Sequence, residues 1–182
     1  MRVVVQRSKN SKVTIDGKVH GSIDNGFVLL SSFTEGDNTL IVDKMVDKII
    51  NLRIFEDENE KMNLSLLDTS GSILNISQFT LYADCTKGRR PSFVNAMDPT
   101  SASKLYDYMN EHLRSLNIHT ETGIFGSDMK VEIYNDGPVT IILDSRDIVK
   151  WKVFNKVLEL INEICYNYIV IKTYNINGHK NE

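Results

Sequence analysis

The hexapeptide Asn135-Asp136-Gly137-Pro138-Val139-Thr140 constrains this chain most sharply. Val131, Ile133 and Tyr134 precede it, and Ile141, Ile142 and Leu143 follow it. Two apolar runs of β character therefore flank an Asp-Gly-Pro turn. Asp-Gly is a turn dipeptide, and proline fixes φ and removes a backbone donor. A plain two-residue hairpin avoids proline after the glycine, because the return strand needs that N–H. The stretch is thus either an ordinary loop closure or a turn that presents its backbone to something else. X-Pro bonds adopt cis at modest cost, and Gly-Pro leaves two carbonyls with little steric cover.

Turns of this kind recur. Arg2 to Arg7 reads as a strand. Val13–Ile15, Asp16-Gly17 and Lys18–Ile23 read as a hairpin, and Asp24-Asn25-Gly26 as a further turn. Phe27 to Phe33 is a continuous apolar run, as in a buried strand. Ile41/Val42, Met45/Val46 and Ile49/Ile50 recur at helical spacing, opposite Asp43, Lys44, Asp47 and Lys48. Leu52–Phe55 is a short strand and residues 56–60 an acidic turn. Ile73–Tyr82 reads as one long central strand, and Cys85–Pro91 as a polar basic loop. Asp98-Pro99 starts a helix with a cap and a proline at its first position. Leu105, Met109, His112, Leu113 and Leu116 then line one face. Residues 120–128 read as a connection, 130–135 and 139–144 as the last strands. Interleaved helices and tight hairpins predict an α+β domain, a mixed or antiparallel, barrel-like sheet with packed helices, over residues 1–146. From Asp147, Val149, Val153, Val157, Leu160, Ile161 and Ile164 predict an amphipathic helix and tail as a C-terminal extension, 147–182.

The 182 residues are 41% hydrophobic and 25% charged, enough for one domain with a core. The net charge of −3 confines any nucleic-acid contact to a local patch. The two cysteines, Cys85 and Cys165, have no ligand or framework spacing; they fit a reducing compartment with neither disulfides nor zinc. Arg7 interrupts an N-terminal apolar run too short for a signal peptide, and no run reaches a membrane span. The expectation is a soluble, cytoplasmic protein without membrane contact. No nucleophile elbow, zinc helix, P-loop or dinucleotide fingerprint is present. His20, His112, His119 and His179 lie apart, and none neighbours a nucleophile.

The other polar stretch is Ser77-Gln78-Phe79-Thr80-Leu81. Ser, Gln and Thr in a central strand need partners or must line a cavity. One reading is a satisfied cross-strand pair. The other is a site whose backbone N–H groups receive an oxyanion. This stretch and Asn135–Thr140 resemble, in order and spacing, the two signature motifs of the D-aminoacyl-tRNA deacylases. Further blocks are similar: Met1–Arg7, Asp47–Phe55, Lys87–Phe93 and Gly123–Met129. The likeness covers residues 1 to about 145. Ser31-Ser32, Ser8 and Ile124 depart from the family's usual residues.

The resemblance implies hydrolysis of the ester between a D-amino acid, or glycine, and the terminal ribose of tRNA. It implies a homodimer without metal or organic cofactor, in which Gly137-Pro138, joined by a cis bond, enters the partner's site. There its carbonyls would meet the substrate amine and exclude an L side chain. By position, the Phe79 N–H would stabilise the oxyanion, and Ser77 and Gln78 would shape the pocket. Thr80 matches a threonine given a role without covalent attack. Asn135, Asp136, Thr140 and Arg7 would hold the Gly-Pro loop, with Phe125 and Met129 near the pocket. Lys87, Arg89 and Arg90 would contact tRNA phosphates. Two rivals remain: a related deacylase with a trans Gly-Pro pair that tolerates small L-amino acids, and a non-catalytic nucleic-acid-binding protein on the same fold.

Overall fold

The computed structural model describes residues 1–149. Two long strands, β1 (Arg2–Ile15) and β2 (Lys18–Ser32), form one antiparallel hairpin around Asp16-Gly17. Asp24-Asn25-Gly26 is not a turn, as the sequence suggests. Asn25 and Gly26 are paired to Lys9 and Ser8, so the neighbouring strand holds this stretch extended. Helix α1 (Thr39–Ile50) follows, capped by the Asn38 side chain, which accepts from the Ile41 N–H. Its buried residues are the six apolar ones expected from the spacing.

A small hairpin, β3 (Phe55–Glu56) with β4 (Met62–Leu64), leads to β5 (Ser72–Ser77). β5 runs parallel to β2, from Gly26↔Ser72 to Ser31↔Ser77. The expected strand to Tyr82 ends at Ser77. The Gln78 N–H still donates to Ser31 O at 2.8 Å, and residues Phe79–Tyr82 then coil into a 3-10 turn. Gln78 to Leu81 are therefore not residues of a central strand, because the chain leaves the sheet after Ser77.

Helix α2 (Pro99–Ser115) begins at the Asp98 cap with Pro99 at its start. It buries Ala102, Tyr106, Met109, Asn110 and Leu113, whereas Leu116 is exposed and His112 half-buried beside Asp43. The stretch read as a bare connection contains β6 (Thr120–Thr122), parallel to β5. β7 (Lys130–Glu132), β8 (Asn135–Asp144) and the short helix α3 (Ser145–Ile148) complete the described chain. The sheet order is β6-β5-β2-β1-β7, with β8 also paired to β1. It is mixed and open, so barrel-like describes it only loosely. Beyond α3, the amphipathic extension and Cys165 lie outside the described residues.

Each sheet face covers a different core. One carries Val3, Val5, Phe27, Leu29 and Ile73, all fully buried. The other joins Val13, Ile23, Val28, Leu74 and Ile76 to Met129, Val131 and Ile133. Strand alternation puts Phe27, Leu29 and Ile73 opposite Val28, Leu74 and Ile76; Val13 and Ile23 lie beyond the irregular backbone at Asn10 and Gly26.

Two consequences are measurable. Gly26 has φ +141, and a Cβ there would overlap the Ser72 backbone, lying 2.6 Å from its N. Gly26→Ala is expected to cost about 3 kcal/mol in chemical denaturation. Gly36→Ala, at φ +88 but in open space, should cost about 1 kcal/mol. Secondly, the Arg146 guanidinium, aided by the Arg146 N–H and by Arg2, holds the Asp144 carboxyl well below the usual carboxylate range. A depressed folded-state value adds stability above the unfolded pKa of about 4, lost as pH falls toward the folded value. The melting-temperature gap between wild type and Asp144→Asn should be widest near neutrality and close below pH of about 4.

Candidate active site

β2 and β5 end side by side, and their chains then diverge. Open sheets place their crevices at such carboxyl ends. Here a cavity of about 630 Å³ lies between Ser31-Ser32-Phe33, Ser77-Gln78-Phe79 and the loop Phe125–Met129. Phe93 and the start of α2, from Asp98 to Ala102, close other walls. Four phenylalanines and two methionines make the lining apolar and suited to a flat ring. Phe79 is 57% exposed and meets Phe93 edge-on, with centroids 5.0 Å apart.

The 3-10 turn matters for its donors. Leu81 N–H bonds Gln78 O at 3.2 Å and Ala83 N–H bonds Thr80 O at 3.0 Å. The Phe79 and Thr80 N–H groups bond no carbonyl among the described residues. They are the donors that a tight turn leaves unsatisfied at its start. Gln78 Nε2 donates to Thr80 Oγ1 at 2.6 Å, and the Thr80 side chain is not part of the cavity wall.

A buried polar node braces this wall. Asn75 is fully buried in β5. Its Oδ1 accepts from Ser31 Oγ at 2.7 Å, and its Nδ2 donates to Asn110 Oδ1 at 2.7 Å. Its carbonyl accepts from Tyr106 OH at 2.6 Å and from Gly123 N–H at 3.1 Å. Burial pushes the Tyr106 phenol up to about 12, so it stays a donor. Gly123 opens the loop that carries Phe125 and Met129, and a Cβ there would collide with the Met129 sulfur. Neither Asn75 nor Asn110 was singled out from sequence. An asparagine inside the apolar run Ile73–Ile76 was the available signal.

The second motif lies elsewhere in the chain. Ser8 pairs with Asn135 and Gln6 with Thr140, so Arg7 alone faces the four residues 136–139. The motif is thus a large bulge within β8, not a turn between two strands. The Gly137-Pro138 peptide is cis, and both residues are exposed. Asn135 spans the bulge: its Oδ1 accepts from Val139 N–H at 3.0 Å and its Nδ2 donates to Thr140 Oγ1 at 2.7 Å. Arg7 is buried behind it. Arg7 Nε donates to Asp136 O at 3.1 Å, Nη1 to Ile54 O at 2.9 Å, and Nη2 to Glu56 Oε1 at 3.4 Å. Lys9 Nζ lies 3.2 Å from Asp136 Oδ2.

Ser77, Gln78, Phe79, Phe125 and Met129 therefore meet at one cavity, and Arg7, Asn135, Asp136, Gly137, Pro138 and Thr140 meet at one bulge. The two are not together. Arg7 aligns with Phe27 and Ile73, four residues before Ser31 and Ser77. The bulge is also three strand positions across from β5. Strand rise and spacing put the two motifs roughly 20 Å apart. Lys87, Arg89 and Arg90 stand exposed on the loop bracketed by the Asp84–Ser92 bridge, one residue before Phe93.

The model of the family described as D-Tyr-tRNA(Tyr) deacylase matches residues 4–144. A D-aminoacyl-tRNA deacylase of Geobacillus sp. is 56% identical over 147 residues, covering 81% of this chain and 97% of that protein. One from Bacillus cytotoxicus is 54% identical over 146 residues, covering 80% and 100%. Among solved structures, the c-Myc DNA Unwinding Element Binding Protein superposes with a TM-score of 0.74 at 39% identity, over 79% of this chain and 98% of that one. A probable eukaryotic D-amino acid tRNA deacylase, at 17% identity and a TM-score of 0.68, shares the fold. Both motifs lie within the matched residues, and on this evidence the chain belongs to the D-Tyr-tRNA(Tyr) deacylase family.

Proposed function

We propose that this protein hydrolyses the ester bond of D-aminoacyl-tRNA, and of glycyl-tRNA, and rejects L-aminoacyl-tRNA. The observation that carries the chemistry is the pair of unpartnered N–H groups at Phe79 and Thr80, beside an apolar cavity at the end of β5. Water adds to the ester carbonyl, whose oxygen takes up negative charge against the Phe79 N–H. The carbon–oxygen bond to the ribose then breaks, and the ribose oxygen takes a proton. Ser77 and Gln78 shape the pocket around the reacting carbon, and Thr80 orients Gln78 through their hydrogen bond. The tRNA's neighbouring hydroxyl assists, so no histidine is required. Phe79, Phe125 and Met129 offer faces on which the terminal base stacks. Lys87, Arg89 and Arg90 meet backbone phosphates.

Chirality is read by Gly137-Pro138 of a second copy. The roughly 20 Å between the two motifs supports this, because one chain cannot apply its own bulge to its own cavity. A filter that excludes every L side chain cannot depend on side-chain identity. It must use rigid backbone, and exclusion by collision is the economical device. The bulge suits that task, since Arg7 and Asn135 brace it from inside. β8 is an edge strand with Ile142 68% exposed, which supports a homodimer through this region. Residues 1–146 form the deacylase domain in this reading, with 147–182 as its extension.

Deacylation of D-Tyr-tRNA, L-Tyr-tRNA and Gly-tRNA, measured side by side in chelator, tests the reading. The D and glycyl esters should disappear while the L ester persists. Loss of the L ester as well would mean that no such filter is built, and loss of none would favour a nucleic-acid-binding protein on this fold.

The bulge has its own test. Gly137 has φ +121, and a Cβ there would lie 2.8 Å from Val139 Cγ2 and 2.9 Å from Arg7 Nη2. Gly137→Ala should therefore displace Arg7 as well as crowd the substrate, abolishing D-Tyr-tRNA hydrolysis while circular dichroism stays native. Arg7→Lys should cost about 2 kcal/mol in denaturation, because one ammonium cannot serve three separated acceptors. It should also relax discrimination between D and L esters.

A further inference from the structure

The bulge that carries Gly137-Pro138 opens from an isolated place in the sheet. On one side of it β1 and β8 pair regularly from Gln6↔Thr140 onward. On the other side a single pair, Ser8↔Asn135, stands before a second irregularity. Between that pair and Lys12↔Glu132, three residues of β1, 9–11, face two, Ile133 and Tyr134. Asn10 takes a φ of 50° there, a left-handed conformation that asparagine accepts more readily than most residues. The extra residue puts β1 out of phase with its neighbour. A lone ladder pair between two irregularities does little to fix register by itself.

Two buried hydroxyls take over. Ser8 and Ser11 are both fully buried. Tyr134 N–H donates to Ser11 Oγ at 2.9 Å, where a regular ladder would offer a carbonyl. Tyr134 O accepts from Ser8 Oγ at 3.2 Å and from Lys9 N–H at 3.1 Å. The two hydroxyls also bond each other. One arrangement of hydrogens satisfies every contact: Tyr134 N–H donates to Ser11, the Ser11 hydroxyl to Ser8, and the Ser8 hydroxyl to Tyr134 O. Each hydroxyl then donates once and accepts once, and consecutive bonds reinforce one another. Such a ring has little slack. A slip of Tyr134 by one position would break it and leave two hydroxyls unpaired in dry surroundings.

Tyr134 is joined directly to Asn135, whose side chain spans the bulge to Val139 N–H and Thr140 Oγ1. Ser8 directly follows Arg7, which fills the bulge from behind. The ring thus grips the chain one residue away from both braces. We propose that Ser8 and Ser11 are positioning residues for the chiral filter: their hydroxyl ring on Tyr134 fixes the register from which the Gly137-Pro138 bulge opens. The inference rests on the deacylase reading, in which this bulge collides with L side chains. Neither serine touches substrate. Their effect passes through Asn135 and Arg7, so it falls on the fit of the amino acid and not on the oxyanion donors, which belong to another segment. A filter that works by collision needs its backbone held within about 0.5 Å, because D and L esters differ only in the side of the α-carbon that is filled.

The test compares wild type with Ser8→Ala, Ser11→Ala and Ser8→Cys on D-Tyr-tRNA and L-Tyr-tRNA, and follows amide hydrogen exchange at Val139. Each alanine variant should lower the D-to-L ratio of kcat/KM about tenfold, through a faster L reaction and a higher KM for the D ester, with kcat for the D ester little changed. Ser8→Cys, which keeps the shape and a weak donor, should retain part of the ratio, and it keeps the test valid where an alanine destabilises the chain. Combining the two alanines should cost no more than the larger single effect, since both break one ring. Val139 N–H should exchange about tenfold faster in the alanine variants, beyond any change at Val28 N–H in the paired hairpin. A lower melting temperature with an unchanged D-to-L ratio would overturn the proposal and leave the serines a purely structural role. A fallen ratio without faster exchange at Val139 would overturn it too. Wild type that hydrolyses neither ester, or both alike, would refute the deacylase reading, and this inference with it, before any variant is compared.

Discussion

The Asn75 side chain is the interaction on which the site depends. It sits at the centre of β5, where only apolar groups would otherwise be tolerated. All its hydrogen-bonding groups are used, on β2 through Ser31, on α2 through Asn110, and, through its carbonyl, on Tyr106 and Gly123. A satisfied polar node in a dry interior has little freedom, because any displaced partner leaves an unpaired group behind. The ends of β2 and β5, the start of α2 and the loop to Met129 are therefore fixed relative to one another. Those four pieces are the cavity walls. Apolar packing alone would bring them together but would hold them less exactly.

Against that fixed frame, the useful backbone groups arise where regular pairing stops. β5 keeps its ladder until Gln78 donates to Ser31, then tightens into a 3-10 turn that cannot satisfy its first N–H groups. β8 keeps its ladder on both sides of a bulge in which one residue opposes four. In both places the sheet pays for positioning, and the departure from it leaves donors or carbonyls exposed for other work. Arg7 makes the bulge tolerable by filling its concave side with a buried, multiply bonded guanidinium.

The separation of these two features within one chain gives the protein its organisation. A cavity edged by free backbone donors and a braced, exposed bulge stand apart within the chain, which is what the proposed two-copy site rests on. Edge strand β8 and its exposed Ile142 lie beside the bulge.

Helices α1 and α2 were legible because their apolar spacing and caps are local properties: Asn38 and Asp98 cap them as the residue types require. The Asp16-Gly17 hairpin turn, the two motifs and their family likeness were legible for the same reason, but not the full length of the two strands that the turn joins. Residues 24–26 were misread as a turn because pairing with β1, a contact between distant residues, overrides their local preference. The strand over residues 73–82 was read too long because its end is set by where Ser31 stops offering a partner. Asn75 was marked only by being an asparagine inside an apolar run, and its role could not be read from that, since Ser31, Tyr106, Asn110 and Gly123 lie far away in sequence. Short-range sterics and periodicity were thus enough to determine the two main helices and to locate the two motifs. Which motifs share a cavity, which stand roughly 20 Å apart, and which buried hydroxyls find partners were decided only by the tertiary structure, because each depends on chain segments that meet through folding.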